Sequence, residues 1–587
     1  MKDINKKRHS LSHLLAMAVL EKFPRAKLGI GPTIENGFYY DFDGIKISDE
    51  DLPKLEKAML ELIAQDLKFI KKNITTAEAK KIFSAKGGSA LGGKNQPYKL
   101  ELIKELIKNK KSITIYKSGD FTDLCAGPHV KSTKEINPEG FKLVKTAGAY
   151  WRGSEKNKML TRIYGLAFET KKDLEDYLKL QEEAEKRDHR KIGKDLELFI
   201  IDETVGQGLP LWLPRGAIMR QVMEDFVLKE YLKNGYQLVR TPHIGSEKLF
   251  GISGHLDFYK ESMYAPVEIE NEKYYLKPMN CPMHIRIYQN SPKSYRDLPV
   301  RYTELGTVYR YEKSGTLHGL IRVRGFTQDD GHILCREDQL GEEIFRAVKL
   351  TKHILESFGF RNFKVALSVR DLKNKKKYLG NDKDWKKSEE ALIKGIKEAG
   401  WNYEREEGEA VFYGPKMDIK TTDAIGREWQ ISTLQVDFNL PKKFDVFYTD
   451  KDGKKKQVFM LHRALLGSLE RFVGILIEHY AGAFPVWLSP VQTRILPVSE
   501  KFNDYAEKIL EELKNADVRT EIGESNETLG KRIRSAELQK IPYILVVGEK
   551  EKQAGTVAVR ERGKGDLGAI PLKNFIEKIK KEISEKK

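Results

Sequence analysis

At 587 residues the chain is too long for a single hydrophobic core, so three or four domains are expected. The composition is that of an ordinary globular protein, 40% hydrophobic, and its net charge of +18 suits either a polyanionic partner, nucleic acid or an anionic membrane surface, or simply a lysine-rich surface. No apolar run reaches the length of a membrane span, the N-terminus MKDINKKRHS lacks the apolar core of a leader, and three scattered cysteines (Cys125, Cys281, Cys335) indicate a reducing, cytoplasmic setting without a disulfide framework.

Residues 8–23 read as an amphipathic helix that ends before Pro24. Asn36-Gly37 then marks a hairpin turn between apolar runs. Residues 49–69 and 99–109 read as helices. Between them GGSALGGKNQP imitates a phosphate loop, with Gly88 followed after a gap by Gly93-Lys94. Asn95 stands where Ser or Thr is needed and Pro97 follows, so a flexible loop is expected. Short strands and turns fill 112–168, and a charged helix over about 170–191, without a broad apolar face, suits a linker.

The stretch 301–335 reads as a long hairpin, with β-rich runs 305–311 and 319–323 around a turn at 312–316. Arg310, Arg322 and Arg324 share it with Gln328, Asp329, Asp330 and His332. Such a set is costly in a core sheet and fits either a solvated face or an anion site. A helix is expected over 215–234, and 370–390 reads as a basic, exposed excursion. Residues 461–480 read as one helix, whose face Gly467, Arg471, Gly474, Glu478 presents a guanidinium between two glycines. Helical glycine costs roughly 1 kcal/mol against alanine, so close packing or the approach of a large anion is implied. The tail alternates strands and helices in the manner of an α/β domain, with Pro485, Trp487 and Pro490 at the joint before it.

GTVYRYEKSG…GFTQDD resembles motif 2 of the class II aminoacyl-tRNA synthetases, GSLERFVGIL resembles motif 3, and 216–242, ending at Pro242, resembles motif 1. MNCPMH, RGFTQDDGHI, FYGPKMD, REWQISTLQVDF and HRALLGSLERF are similar to the threonyl members of that class. The resemblance covers essentially the whole chain. It implies an editing domain of mixed α+β type over 1–168, a linker helix over 169–191, an antiparallel class II catalytic core over 192–485 and an anticodon-binding α/β domain over 486–587. A small ubiquitin-like domain usual in the family ahead of His9 is not in this sequence, and Met283 stands where glycine is common.

The implied chemistry is ATP-dependent ligation of L-threonine to its tRNA through an adenylate, in a homodimer formed through motif 1. Arg310 would grip the α-phosphate and the amino-acid carboxylate, and Arg471 the γ-phosphate. Glu312 would face adenine and Arg322 the bent triphosphate, with Mg²⁺ entering with ATP. Met279, Gln328, Asp330, Tyr413, Lys416, Gln430, Thr433 and Gln435 would surround the substrates. Cys281, His332 and His462 are zinc-binding types whose spacing alone says nothing. By the resemblance they hold one zinc ion that binds the amino and hydroxyl groups of threonine. An apolar pocket rejects valine only about a hundredfold, whereas a site that must bind a hydroxyl rejects its absence by about 10⁴–10⁵. Serine keeps the hydroxyl, so a second, hydrolytic site is required. His9 and His13 in H-x₃-H, with Cys125 and His129 in C-x₃-H, could by type hold a second zinc. The resemblance instead implies a metal-free editing site for seryl-tRNA that also uses Lys99 and Asp123. Asn526, Arg534, Glu551 and Arg560 match anticodon-reading positions, of residue types that suit splayed single-stranded bases. An RNA-binding relative without catalysis and a synthetase for another amino acid are the alternatives; the intact Arg310, Arg471, Cys281, His332 and His462 speak against the first, and Cys281, His332 and His462 together against the second.

Overall fold

The computed structural model describes residues 2–84 and 91–587. Gly87–Ala90 of the phosphate-loop-like stretch lie outside them. The chain forms two compact units, Met1–Glu182 and Glu183–Lys587, divided within the charged helix Lys171–Lys186.

In the first unit the helix Lys2–Lys22 starts earlier than expected and buries Leu11, Leu14, Leu15 and Val19. It packs against an antiparallel sheet of Lys27–Leu28, Gly37–Asp43, Met159–Ala167 and Phe141–Tyr150. The Asn36-Gly37 turn joins Thr33–Ile34 to Gly37–Asp43 as the sequence indicates. Helices Leu52–Ala64 and Pro97–Lys108 occupy the two expected places. A second sheet pairs Ile70–Asn73, Thr114–Ser118 and Phe121–Leu124.

The second unit is built on an eight-stranded sheet in the order Gln237–Leu238, Val300–Tyr309, Gly325–Cys335, Phe459–Ser468, Glu428–Asp437, Lys416–Thr422, Phe363–Val369, Tyr403–Glu407. Its six central strands are antiparallel, and each outermost strand adds in parallel. Helices Pro214–Lys233, Leu340–Ser357 and Leu469–Tyr480 bury Met223, Val348 and Phe472 in its main core. The C-terminal sheet runs Thr520–Ile522, Thr493–Pro497, Tyr543–Val547, Thr556–Glu561, Gly565–Pro571, over a separate core around Ile509, Leu545 and Phe575. Its last strand, rich in glycine, gives no apolar alternation and escapes a reading by pattern.

Three expectations change. The hairpin's second arm is Gly325–Cys335, not 319–323. Gly319 at φ +48° and the His318↔Arg322 bridge fold 318–322 into a turn instead. Residues 461–468 belong to the strand Phe459–Ser468, and the helix begins at Leu469. Gly467, at φ +74°, is thus the left-handed corner between strand and helix rather than a helical residue. The stretch 370–390 is only partly an excursion. Helix Asp382–Glu398 folds Trp385 completely into the core, its indole N–H donating to Leu379 O at 2.7 Å.

Candidate functional site

The sheet register explains how residues far apart in sequence meet. His332 lies opposite His462, and His462 opposite Gln435; on the same face Asp330 and Thr433 both flank Ala464. Side chains alternate along each strand, so Gln328, Asp330 and His332 share one face with Thr433, Gln435, Asp437 and His462. Asp329, on the opposite face, is wholly buried and accepts three N–H groups, from Leu465 (2.9 Å), Leu466 (3.0 Å) and Gly467 (2.8 Å). That cluster sits at the register shift between Gln328 and Asp330 and turns the chain into the helix bearing Arg471. Ser468 caps the helix, its hydroxyl accepting from Arg471 N at 3.1 Å. Glu470 ties three segments together by accepting from Thr327 N (2.9 Å) and Arg220 Nη1 (3.0 Å).

A cleft of about 730 Å³ opens on this face. Arg310, Glu312, Arg322, Arg471, Met279, Gln328, Asp330, Tyr413, Gln430, Thr433, Gln435, Cys281, His332 and His462 were pointed to in the sequence, and Lys416 with them. Arg310, Glu312, Arg322 and Arg471 line the cleft, with the triad and every other residue of that set except Lys416. Lys416 Nζ is held by the buried Asp418 at 2.5 Å, and the same carboxylate accepts from Gln430 and Thr433, each at 2.8 Å.

Among the described residues neither Arg310 nor Arg471 is paired with a carboxylate. Arg310 donates to Pro278 O at 3.3 Å and lies 5.0 Å from the Phe326 ring centre. Arg471 leaves a buried Nε without a partner, and burial lowers its pKa. Two guanidinia without carboxylate partners, one of them with a buried and unpartnered Nε, meet in one cleft and ask for an anion. Glu312 and Arg322, by contrast, are ion-paired with each other at 2.9 Å.

The ligand atoms of Cys281, His332 and His462 lie within 4.8 Å of one another. Hydrogen bonds assign the tautomers. His462 Nε2 faces Asp437 Oδ2 at 3.0 Å, so its Nδ1 lone pair turns inward. His284 Nε2 faces Glu304 Oε2 at 3.1 Å, leaving Nδ1 to accept from His332 Nδ1–H at 2.8 Å. His332 Nε2 therefore presents a lone pair 3.0 Å from that of His462. Burial first, then His284 and His462, depress the His332 pKa well below its usual value, and burial pushes the Cys281 thiol well up. Converging lone pairs beside a thiol fit a soft or borderline cation, with carboxylate-backed histidines as its ligands. His284, Glu304, Asp418 and Asp437 escaped the sequence reading. His284 carried a signal, the C-x₂-H spacing from Cys281.

The first unit holds a groove of about 380 Å³ lined by His9, His13, Lys99, Asp123 and Cys125. His9 Nε2 and His129 Nε2 each lie 3.3 Å from Cys125 Sγ, and His13 Nε2 lies 3.6 Å from Asp123 Oδ2. Lys99 Nζ pairs with Asp123 Oδ1 at 2.5 Å and donates to Tyr40 Oη at 3.0 Å. Burial raises the Cys125 thiol to about 12 and depresses His9, His13 and His129. All six residues come together, and Tyr40, missed in the sequence, joins them. Gly127, at φ +76°, lets the turn pass Tyr116, whose hydroxyl would sit 2.3 Å from a Cβ there.

Asn526, Arg534, Glu551 and Arg560 are spread over a loop, two helices and a strand of the C-terminal sheet. Among the described residues no hydrogen bond joins any two of them. Glu551 caps its own helix through Gly548 N at 2.9 Å, and Arg560 lies 3.5 Å from Asp566.

Comparison with known families matches residues 265–480 to the tRNA synthetase class II core domain (G, H, P, S and T), 492–582 to the anticodon binding domain and 113–164 to the threonyl and alanyl tRNA synthetase second additional domain. The antiparallel core and these matches define a class II aminoacyl-tRNA synthetase. A threonine–tRNA ligase of Sulfurihydrogenibium sp. is 52% identical over 99% of this chain and 88% of its own length, and that of Aquifex aeolicus 49% over 99% and 89%. A solved structure, the RNA binding domain of threonyl-tRNA synthetase from Cryptosporidium parvum, matches with a TM-score of 0.64 at 38% identity, over 67% of this chain and 98% of its own. The chain belongs to the threonine–tRNA ligase family.

Proposed function

We propose that the chain is an ATP-dependent threonine–tRNA ligase that also clears mischarged seryl-tRNA. The observation that carries this reading is the meeting, in one cleft, of two guanidinia without carboxylate partners and a Cys281–His332–His462 donor set. A carboxylate oxygen of threonine attacks the α-phosphorus of ATP, pyrophosphate leaves, and the adenylate then passes its acyl group to the tRNA. Negative charge develops on phosphoryl oxygens, so fixed cations suffice and no protein nucleophile is needed. Arg310 holds the α-phosphate and the amino-acid carboxylate, and Arg471 the γ-phosphate, with Mg²⁺ accompanying ATP. Glu312 and Arg322 exchange their mutual ion pair for adenine and phosphate contacts, at small cost because an exposed pair contributes only about 0–1 kcal/mol.

Cys281, His332 and His462 would hold one zinc ion, which would supply a Lewis-acidic contact for the amino and hydroxyl groups of threonine. Met279, Gln328, Asp330, Tyr413, Gln430, Thr433 and Gln435 shape the substrate site, and Lys416 acts through Asp418. His9, His13, Lys99, Asp123, Cys125 and His129 form the editing site for the misacylated adenosine and a water, without metal. A second reading, a zinc ion in that cluster, is favoured by His9, His13, Cys125 and His129 placing their ligand atoms within 4.8 Å of one another. Asn526, Arg534, Glu551 and Arg560 read the anticodon. Editing is assigned to 1–168, the linker to 169–191, catalysis to 192–485 and anticodon binding to 486–587. A homodimer through the helix Pro214–Lys233 is supported by exposed Ile218, Leu232, Leu238 and Ile244 on and after it. A cytoplasmic setting suits three free thiols. Threonine-dependent exchange of pyrophosphate into ATP tests the reading; a pure, zinc-loaded chain without exchange would refute it.

A further inference from the structure

Within the second unit, just after the charged helix, the side chain of His189 is wholly buried. After the break at Arg187 and Asp188, His189 opens the short helix His189–Asp195. Its Nδ1 lies 2.6 Å from Glu478 Oε1, which also accepts its backbone N–H at 3.3 Å. The carboxylate fixes the tautomer, so Nε2 is an acceptor, and it takes the backbone N–H of Leu320 at 3.0 Å. Burial pushes Glu478 upward, but the His189 bond and Arg427, 2.6 Å away, outweigh it and hold the group ionised. Asp188, His189 and Glu478 are close enough to suggest a metal site. Both imidazole nitrogens are already engaged, so the arrangement is a clasp rather than a ligand set.

What the clasp grips is the turn 318–322 of the loop between Tyr309 and Gly325. His318 N donates to Arg322 O at 3.1 Å and Arg322 N to His318 O at 3.2 Å, which ties the two ends of the turn together. Ile321, Arg322 and Val323 line the cleft. Two glycines, Gly319 and Gly474, make room for the clasp. At Gly319 a Cβ would stand 2.1 Å from His189 Nε2, and at Gly474 it would press on Leu320 and Ile321 at 3.3 and 3.1 Å. The second contact gives the helical glycine its reason: the helix backbone must lie against this loop.

We propose that His189, held by Glu478, is a positioning residue that sets the 318–322 turn, and through it Arg322, for the triphosphate. The inference rests on the reading of the cleft as an ATP site. It predicts an effect on ATP rather than on threonine, because the turn borders the guanidinium end of the cleft and leaves the Cys281–His332–His462 end untouched.

The test measures pyrophosphate exchange with the full chain, varying ATP and threonine separately, for His189→Phe, which puts an aromatic ring without nitrogens in place of the imidazole, and for His189→Gln, which keeps an acceptor. His189→Phe should raise the KM for ATP about tenfold, the factor expected for one buried N–H left unpaired, and leave the KM for threonine within about twofold. His189→Gln should recover most of the loss. Gly319→Ala breaks the same contact from the loop side and should reproduce the split, which decides the matter if His189→Phe fails to fold. An unchanged KM for ATP in folded His189→Phe, or in Gly319→Ala when only that variant folds, would overturn the inference. So would a rise in both KM values together. Absence of exchange in the unaltered chain would instead overturn the ATP reading itself.

Discussion

Replacing Arg471 with alanine separates a ligand-seeking cation from a structural one. Its guanidinium has no carboxylate partner among the described residues, its Nε is buried without a hydrogen bond, and burial alone depresses its pKa. Removing it gives up no ion pair, so folding should be unaffected or slightly favoured. Arg463 is the internal contrast. Its Nε also lacks a partner, but it is fully buried, stacked 3.9 Å from the Tyr231 ring and 4.3 Å from that of Tyr236, bonded to Asp329 O and Thr303 Oγ1, and 3.9 Å from the buried Asp329 carboxylate. Truncating it would leave the buried Asp329 carboxylate without its cation, which costs about 3–5 kcal/mol of stability. For catalysis the expectation reverses. Losing one preorganised cation from a phosphoryl transition state costs about 10²–10³ in rate, roughly 3–4 kcal/mol. Pyrophosphate exchange and thermal melting, measured on Arg471→Ala, should therefore part: kcat/KM for ATP collapses while the melting temperature holds. Activity and stability falling together, or activity retained, would refute the assignment.

Metal analysis of the purified chain should find one zinc per chain, lost in Cys281→Ala; two would revive the N-terminal cluster as a metal site. His284→Ala, which releases the His332 tautomer, should weaken zinc retention against a chelator about 10–100-fold without removing a ligand, and unchanged retention would dismiss the relay. His13→Ala or Cys125→Ala should let seryl-tRNA accumulate while threonine charging persists, and unimpaired deacylation would remove the editing role. Stability of the first unit should fall with acid. Unfolded histidines take up a proton near 6.5, whereas His13 and His129 resist it when folded, so below that value the unfolded state binds more protons. Denaturation midpoints should drop as pH falls below about 6.5, and less steeply in His129→Asn; equal slopes would contradict the burial argument.

Where local pattern decides structure, it was legible. The Asn36-Gly37 hairpin, the helix ending before Pro24 and most of the C-terminal alternation needed only turn chemistry and periodicity. The segment 461–480 defeats that approach because its first half is apolar enough for either a strand or a helix. What settles it is Asp329, remote in sequence, collecting the N–H groups of Leu465, Leu466 and Gly467. Trp385 defeats local pattern for a related reason: the lysines around it mark one face of a helix, and the buried indole marks the other. The cleft residues were named through family motifs rather than spacing. His332 and His462, 130 positions apart, become neighbours only through strand register. The supports escaped notice. Asp418, Asp437, Glu304 and His189 are single polar residues whose meaning depends on what the fold places beside them.

The central claim is that this cleft activates threonine and selects it by its hydroxyl. Threonine-, serine- and valine-dependent pyrophosphate exchange, compared as kcat/KM on one zinc-loaded preparation, tests it most directly. Valine should be rejected by about 10⁴ or more, because a site built to bind a hydroxyl leaves its donors and ion unsatisfied without one. Serine, short of one methyl group, should be activated within roughly 10–200-fold of threonine. Valine exchanging within about a hundredfold of threonine, the limit of an apolar pocket, would contradict the account.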